Sequence, residues 1–416
     1  MLKNYLKIAI AVLLRRKFLT FVNLFGTVLT LTVLVVAFAT IQSIVRPEGA
    51  ERRHDHILAI NIITLEHSKK NLQLNSGPGG AFFTNYIRPL RTPDLVSLFT
   101  RPRIGTSYRD GRKLTVQTRF TDAAYWRILD FQVRAGRVLA PDDIASGRRV
   151  AVINEATADA FFHGRSAVGQ SIVIDSRSYE VIGVVRNEPE TSHTAYADVW
   201  APLTAQETRA YEQEWMSDSQ VMLFFEDSAK REAVRSELSA RVRRFDVNPD
   251  AAMYDTLRAS ATTPLEEMAA RTLGRKDVDR EYVAVFIAAA IVVALLFMAL
   301  PAVNMVNLNI GRIMERAPEI GLRKAAGAPT RVLVGQFIFE NLVLALLGGL
   351  IAFATTPFIL GLLNNVFRYG HLQLDLSVFV TGLAFVVVFG VLSGAYPAWK
   401  MAQLDPAAAL KGQRYV

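Results

Sequence analysis

Pro318-Glu319-Ile320-Gly321-Leu322-Arg323-Lys324-Ala325-Ala326-Gly327 is a charged decapeptide set between two long apolar runs. Pro318 suits the first position of a helix, where its missing N–H would have no intrahelical partner, and Glu319 beside it complements the positive helix end. Arg323 and Lys324 fall in the last turns, where cations meet the negative end, and Gly327 suits the left-handed conformation that closes a helix. The spacing therefore predicts a short helix over 318–327, delimited at both ends and held at a membrane face. It carries no nucleophile, no histidine and no metal-ligand spacing, so it reads as a docking surface and not as a catalytic site.

Outward from this stretch the chain is apolar. Of its 416 residues 51% are hydrophobic, and the excess is concentrated in four runs, Phe18–Val45, Tyr282–Val306, Val332–Leu363 and Leu376–Ala395. At about 1.5 Å per helical residue each is long enough to cross a hydrocarbon layer of roughly 30 Å. The expected fold class is a membrane protein with four transmembrane α-helices and a large α+β domain inserted between helices 1 and 2. There are no cysteines, which excludes disulfides and Cys-ligated metals. The net charge of +9 sits largely beside the apolar runs, as the positive-inside rule requires, and so gives no reason to expect nucleic acid.

Residues 1–17 carry Lys3, Lys7, Arg15, Arg16 and Lys17 with no acid, interleaved with apolar residues, as in an amphipathic helix on the inner membrane face. The apolar run that follows is too long for a signal peptide and lacks a small-residue cleavage site, so it is expected to be retained as an anchor. Residues 46–281 then lie outside, residues 307–331 with the 318–327 helix inside, residues 364–375 form a short outer hairpin, and residues 396–416 are an inner tail. Arg312, Arg316, Arg323, Lys324 and Arg331 on the inner loop, against Arg368 alone in the outer hairpin, agree with that orientation.

The external segment is patterned as a folded domain. Strands are expected at His56–Thr64, Leu114–Thr121, Arg149–Ile153, Ser171–Ile174, Tyr179–Val185 and Val221–Phe225. Asn154 is placed to cap a helix through Phe162, and Ser228 one through about Arg243. Ser76–Gly80 reads as a flexible loop, and Thr263–Arg280 as a helix running directly into the second membrane helix. At the far end Pro397 is expected to break the last membrane helix, with Asp405 and Pro406 starting a new short one.

Glu319 to Ala328, followed by Gln336, Phe337 and Glu340, resembles the coupling-helix signature of the MacB/FtsX family of ABC-transporter permeases. Gly136-Arg137, Val150–Glu155, Ala160-Phe161-Phe162, Val168-Gly169-Gln170 and Tyr179–Val185 are similar to that family's periplasmic core domain, and Tyr396–Lys411 to its closing motif. The outer hairpin and Leu65–Arg103 match nothing in the pattern. The resemblance implies a permease in the bacterial inner membrane with both termini cytoplasmic, its large domain periplasmic and carried on a stalk. It implies a dimer with a second copy or a paralogue, bound to ABC ATPase subunits through Pro318, Glu319, Gly321, Arg323, Lys324 and Gly327. Some members also work with a periplasmic adaptor and an outer-membrane duct. Members export drugs, toxins or peptides, extract lipoproteins, or regulate cell-wall hydrolases.

No phosphate-binding Gly-x-x-x-x-Gly-Lys-Ser/Thr run occurs, so ATP and Mg are expected on a separate partner ATPase, with no cofactor in this chain and no catalysis by it. His54, Asp55 and His56, with His163 or His193 further along, are expected to be surface residues and not metal ligands. Glu340 enters the third membrane run and is expected to fix helix position, snorkelling or pairing with Arg331 or Lys324. Asn304 and Asn307, at the inner end of the second, suit hydrogen bonds between helices, and Pro301 suits a kink. The competing reading is a membrane-anchored periplasmic sensor or scaffold acting without ATP; an anchored external enzyme would need a reactive cluster that the sequence does not offer.

Overall fold

The computed structural model describes residues 13–15, 17–47, 49–67, 69–70, 72–109, 112–245, 254–274, 280–315, 322, 329–366 and 372–402. In chain order, α1 is Lys17–Val45, followed by the strands β1 (Ile57–Ile60), β2 (Ile63–His67), β3 (Leu72–Pro78), β4 (Leu95–Thr100), β5 (Arg103–Arg109) and β6 (Arg112–Thr121). Next come α2 (Ala123–Ile128), β7 (Val133–Gly136), α3 (Pro141–Ala145), β8 (Val150–Asn154), α4 (Glu155–Phe162), β9 (Ser171–Ile174), β10 (Arg177–Val185) and β11 (Val199–Pro202). The domain closes with β12 (Met216–Ser217), β13 (Ser219–Phe224), α5 (Arg231–Val242), β14 (Thr256–Ala259) and α6 (Pro264–Thr272). Three long helices follow, α7 (Arg280–Glu315), α8 (Thr330–Val366) and α9 (Leu376–Ala402).

The chain divides into two compact units, one spanning Gln42–Phe286 and one holding the long helices. In the first, β1-β13-β4-β6-β11-β8-β10-β7 form a mixed sheet, with β5 added beside β6 and β9 beside β10. The pairs β6/β11 and β8/β10 are parallel, which needs crossovers, and α4 supplies the one between β8 and β10. β8 is buried at every position, as a central strand covered on both faces must be. Phe161 and Phe162 of α4 pack on one face, and Tyr125, Trp126 and Ile128 of α2 on the other, beside Trp200. A second sheet, β12-β3-β2-β14, shares a core with α5.

Several expectations are met residue by residue. Asn154 caps α4, its side chain accepting from the Thr157 amide at 2.8 Å, and the helix ends at Phe162. Gly136 and Gly183 face each other across β7 and β10, and a Cβ on Gly183 would lie 2.1 Å from the Arg137 carbonyl oxygen. Only glycine permits that approach.

Others are corrected. The expected strand His56–Thr64 is two strands in two sheets, because the chain leaves β1 at Asn61, whose side chain is bound by Gln220 from one side and to Glu267 on the other. Ser76–Gly80 is no loop: Ser76–Pro78 belong to β3, and a Cβ on Gly77 would meet the Ser219 carbonyl oxygen at 2.2 Å. These glycines serve close packing of backbone on backbone, a role that sequence does not separate from flexibility. Ser228 does not cap α5: it begins a short 3₁₀ turn capped by Asp227, which accepts from the Ala229 amide at 2.9 Å, and α5 starts at Arg231 with no side-chain cap. Thr263 forms a capping box with Glu266, but α6 stops at Thr272 and Gly274 follows at φ +63°, so no single helix joins Thr263 to Arg280. Pro397 does not end the last helix, which runs on to Ala402.

In the helical unit, α1, α7 and α8 are each long and apolar enough to cross a membrane, and α9 contains a shorter apolar stretch, Leu376–Leu392. Leu31 and Val35 of α1, Ala345 and Ala352 of α8, and Phe379 and Val386 of α9 form the shared core. Small residues bring the backbones together: a Cβ on Gly348 would lie 2.7 Å from the Thr27 methyl carbon, and one on Gly349 2.4 Å from a Leu383 methyl. α7 packs less, leaving Val285, Ile291 and Leu296 exposed.

Candidate functional site

The residues expected to dock an ATPase, Pro318, Glu319, Gly321, Arg323, Lys324 and Gly327, lie outside the described residues. They fall in the connection between the end of α7 at Glu315 and the start of α8 at Thr330. Leu322, at the middle of that connection, is exposed. The N-terminal amphipathic segment, for the most part, and the helix expected after Asp405 are likewise outside the described residues.

Glu340 stands on α8 and is buried, as are Gln336 and Asn341. The Gln336 amide donates to Glu340 Oε1 at 3.2 Å, one helical turn away. Arg331 is exposed, while Lys324 is outside the described residues. Asn304 and Asn307 fall on α7, their side chains outside what is described. Sequence reasoning missed the polar residues of α1: Asn23 and Thr27 are buried with no hydrogen-bond partner among the described residues, and Thr32 faces Thr356 of α8 at 3.4 Å. An apolar run gives no sign of which of its scattered polar residues face protein, so the sequence carried no signal that singled them out.

The Gln42–Phe286 unit holds a second polar centre, at the turn Gly49–Glu51 between α1 and β1. Glu51 is buried and accepts from the Thr194 amide at 2.8 Å, the Ala195 amide at 2.6 Å and the Thr194 hydroxyl. Arg119, fully buried on β6, donates to the Thr194 and His193 carbonyls at 2.6 and 2.9 Å and lies over the Phe99 ring. Tyr125 donates to the Thr194 carbonyl at 2.8 Å, and burial raises its phenol above its ordinary range. Glu188 accepts from the Ala50 amide at 3.1 Å. Burial above all, with Glu51 nearby, pushes its carboxyl up to about 7. Glu51 also lines a cavity of about 150 Å³ with Asn61, His193, Glu267 and Arg271. This arrangement joins and positions segments; it presents no nucleophile paired with a base.

Of the histidines expected at the surface, His54 and His56 are half-buried. His54 lies 3.7 Å from Asp55, His56 faces the Phe225 carbonyl at 3.1 Å, and His163 ends α4 at a left-handed position. Among the described residues no three His, Cys, Asp or Glu side chains are grouped to hold a metal.

Two family models match this chain: the MacB-like periplasmic core domain over residues 24–241, more than half its length, and the FtsX-like permease C-terminal region over 287–406. The chain belongs to the MacB/FtsX family of ABC-transporter permeases. The macrolide export ATP-binding/permease protein MacB of Azoarcus sp. (strain BH72) is 26% identical over 410 residues, covering 94% of this chain and 58% of the Azoarcus protein. The uncharacterized ABC transporter permease YknZ of Bacillus subtilis (strain 168) is 23% identical over 364 residues, covering 84% of this chain and 85% of YknZ. This chain thus spans about half the length of the MacB proteins it matches and most of YknZ. The solved periplasmic region of MacB from Actinobacillus actinomycetemcomitans aligns with a TM-score of 0.36 at 13% identity, over 53% of this chain and 94% of that one. Of the two units, the first carries most of the match to the periplasmic core domain and the second the permease match.

Proposed function

We propose that this permease transmits the motion of a partner ABC ATPase across the membrane to its Gln42–Phe286 domain, driving export or release of a periplasmic or membrane-derived substrate such as a drug, peptide or lipoprotein. The observation that carries the reading is the charged stretch 318–327, which lies within the permease match and joins two long apolar helices. ATP and Mg bind the partner ATPase, and Pro318, Glu319, Gly321, Arg323, Lys324 and Gly327 make the contact. α1, α7, α8 and α9 all cross the inner membrane, with both termini in the cytoplasm and the large domain in the periplasm. The exposed apolar surface of α7 suits lipid and a second permease copy or paralogue. A periplasmic adaptor and an outer-membrane duct complete the path where the substrate leaves the cell.

A ligand or partner shifts a conformational equilibrium only by its differential affinity for the two states. The 318–327 stretch must therefore bind the ATP-loaded and ATP-free ATPase differently. Gly321→Trp places bulk in that contact, and the expected outcome is an assembled permease with at least about tenfold less permease-stimulated ATP turnover, about 1.4 kcal/mol of lost coupling. Normal stimulation in the variant would count against the reading.

A further inference from the structure

Two buried carboxylates meet on one three-residue turn. Glu51 ends the Gly49–Glu51 turn and binds the backbone at Thr194 and Ala195, while Glu188 binds the Ala50 amide in the middle of it. Glu188 and Glu51 are 1% and 6% exposed. The carboxylates are not equivalent. Glu51 accepts from three donors, all on Oε1. Glu188 has one donor, the Ala50 amide, among the described residues, and Gly49 at φ +73° leaves room for its oxygen, since a Cβ there would lie 2.5 Å from Oε2.

The charges facing the pair come from every side. Arg186 acts on Glu188 from its own loop and Glu51 from the turn, Arg119 on β6 faces Glu51, and the Tyr125 phenol lies near both carboxylates. His193, Glu267 and Arg271 line the same cavity as Glu51. Ionising Glu188 would strengthen one amide hydrogen bond, but it would also bury a second anion beside Glu51, with Arg186 as the cation acting on it. The second effect is larger, because an underdonated buried anion costs several times what one charge-assisted hydrogen bond returns.

We propose that Glu51 and Glu188 form a proton-sensitive latch, which holds the turn after α1 on the 186–195 loop while Glu188 carries its proton and loosens when that proton passes to water. The geometry rests on this domain alone and does not depend on the ATPase reading. The elevated Glu188 titration, near 7, places the change within reach of ordinary external pH.

Hydrogen exchange of the full chain in nanodiscs tests it, following the Ala50, Thr194 and Ala195 amides from about pH 6 to about pH 8.5 after correction for intrinsic rates. The latch predicts that protection falls by about tenfold or more in the native protein, as linkage to a titrating group requires, and stays level in Glu188→Gln. Equal profiles in the two proteins would overturn it. Should Glu188→Gln fail to fold, infrared titration of the native chain labelled with ¹³C at the glutamate side-chain carboxyls decides: a protonated glutamate band lost with a midpoint near 7 supports the latch, and absence of that band above about pH 6 contradicts it.

Discussion

Asp143 shows how single side chains hold the domain's edge. Its carboxylate accepts from Nη1 and Nη2 of Arg137, the second at 3.0 Å, and from the Ala140 amide at 2.9 Å. The Arg137 bond holds its titration below the usual carboxylate range. A depressed carboxyl contributes stability above its unfolded value and loses it as pH falls through the folded one. Asp143→Asn should therefore cost about 1–2 kcal/mol near neutral pH, kept small because Arg137 is half exposed, and the difference from native should vanish in acid; thermal melts at several pH values measure it. Glu188 has the opposite sign. Its raised carboxyl gives stability at low pH that is lost as pH rises from its ordinary 4.5 towards about 7, so Glu188→Gln should flatten that slope. Gly183→Ala tests backbone approach: with 2.1 Å to a carbonyl oxygen, β10 must shift, and a loss of about 2 kcal/mol or more is expected, against about 1 kcal/mol at Gly164, whose surroundings are open and whose φ of +79° alone strains alanine. Equal losses at the two sites would show that the close approach at Gly183 costs no more than the backbone strain at Gly164.

At the scale of elements, the sequence was most legible where one local rule acts alone. Asn154 and the eight residues after it form a capped helix on local chemistry, and the Val and Ile runs of β8 and β10 are strands because both of their faces are covered. It was least legible where a distant partner decides. Ser76–Gly80 has the composition of a loop, yet β12 and β13 turn it into a strand by approaching too closely for any side chain. Thr263–Arg280 has helical composition, and Gly274 interrupts it. Within the helical unit, Asn23 and Thr27 were passed over because nothing in an apolar run says which stripe faces protein. The packing there makes its own prediction: Gly348→Leu would drive its side chain into Thr27 and separate α1 from α8, lowering the melting temperature in detergent more than Gly361→Leu, which meets open space. Equal melting temperatures would place the α1–α8 contact elsewhere.

For the whole molecule, family membership is settled by two matched regions, while the docking segment that would connect it to an ATPase was read from the chemistry of ten residues: a proline and an acid at one end, two cations and a glycine at the other. That asymmetry is local and therefore visible in sequence; cargo is a property of surfaces assembled from distant segments, and no decapeptide encodes it. The most direct test is purification of the tagged chain from its native membrane in mild detergent, comparing native protein with the triple variant Glu319→Lys, Arg323→Glu, Lys324→Glu. The account predicts that an ABC ATPase is retained by the native chain and lost from the variant, which still folds and inserts. An ATPase held equally by both, or none held by the native chain across several detergents and crosslinking conditions, would contradict it.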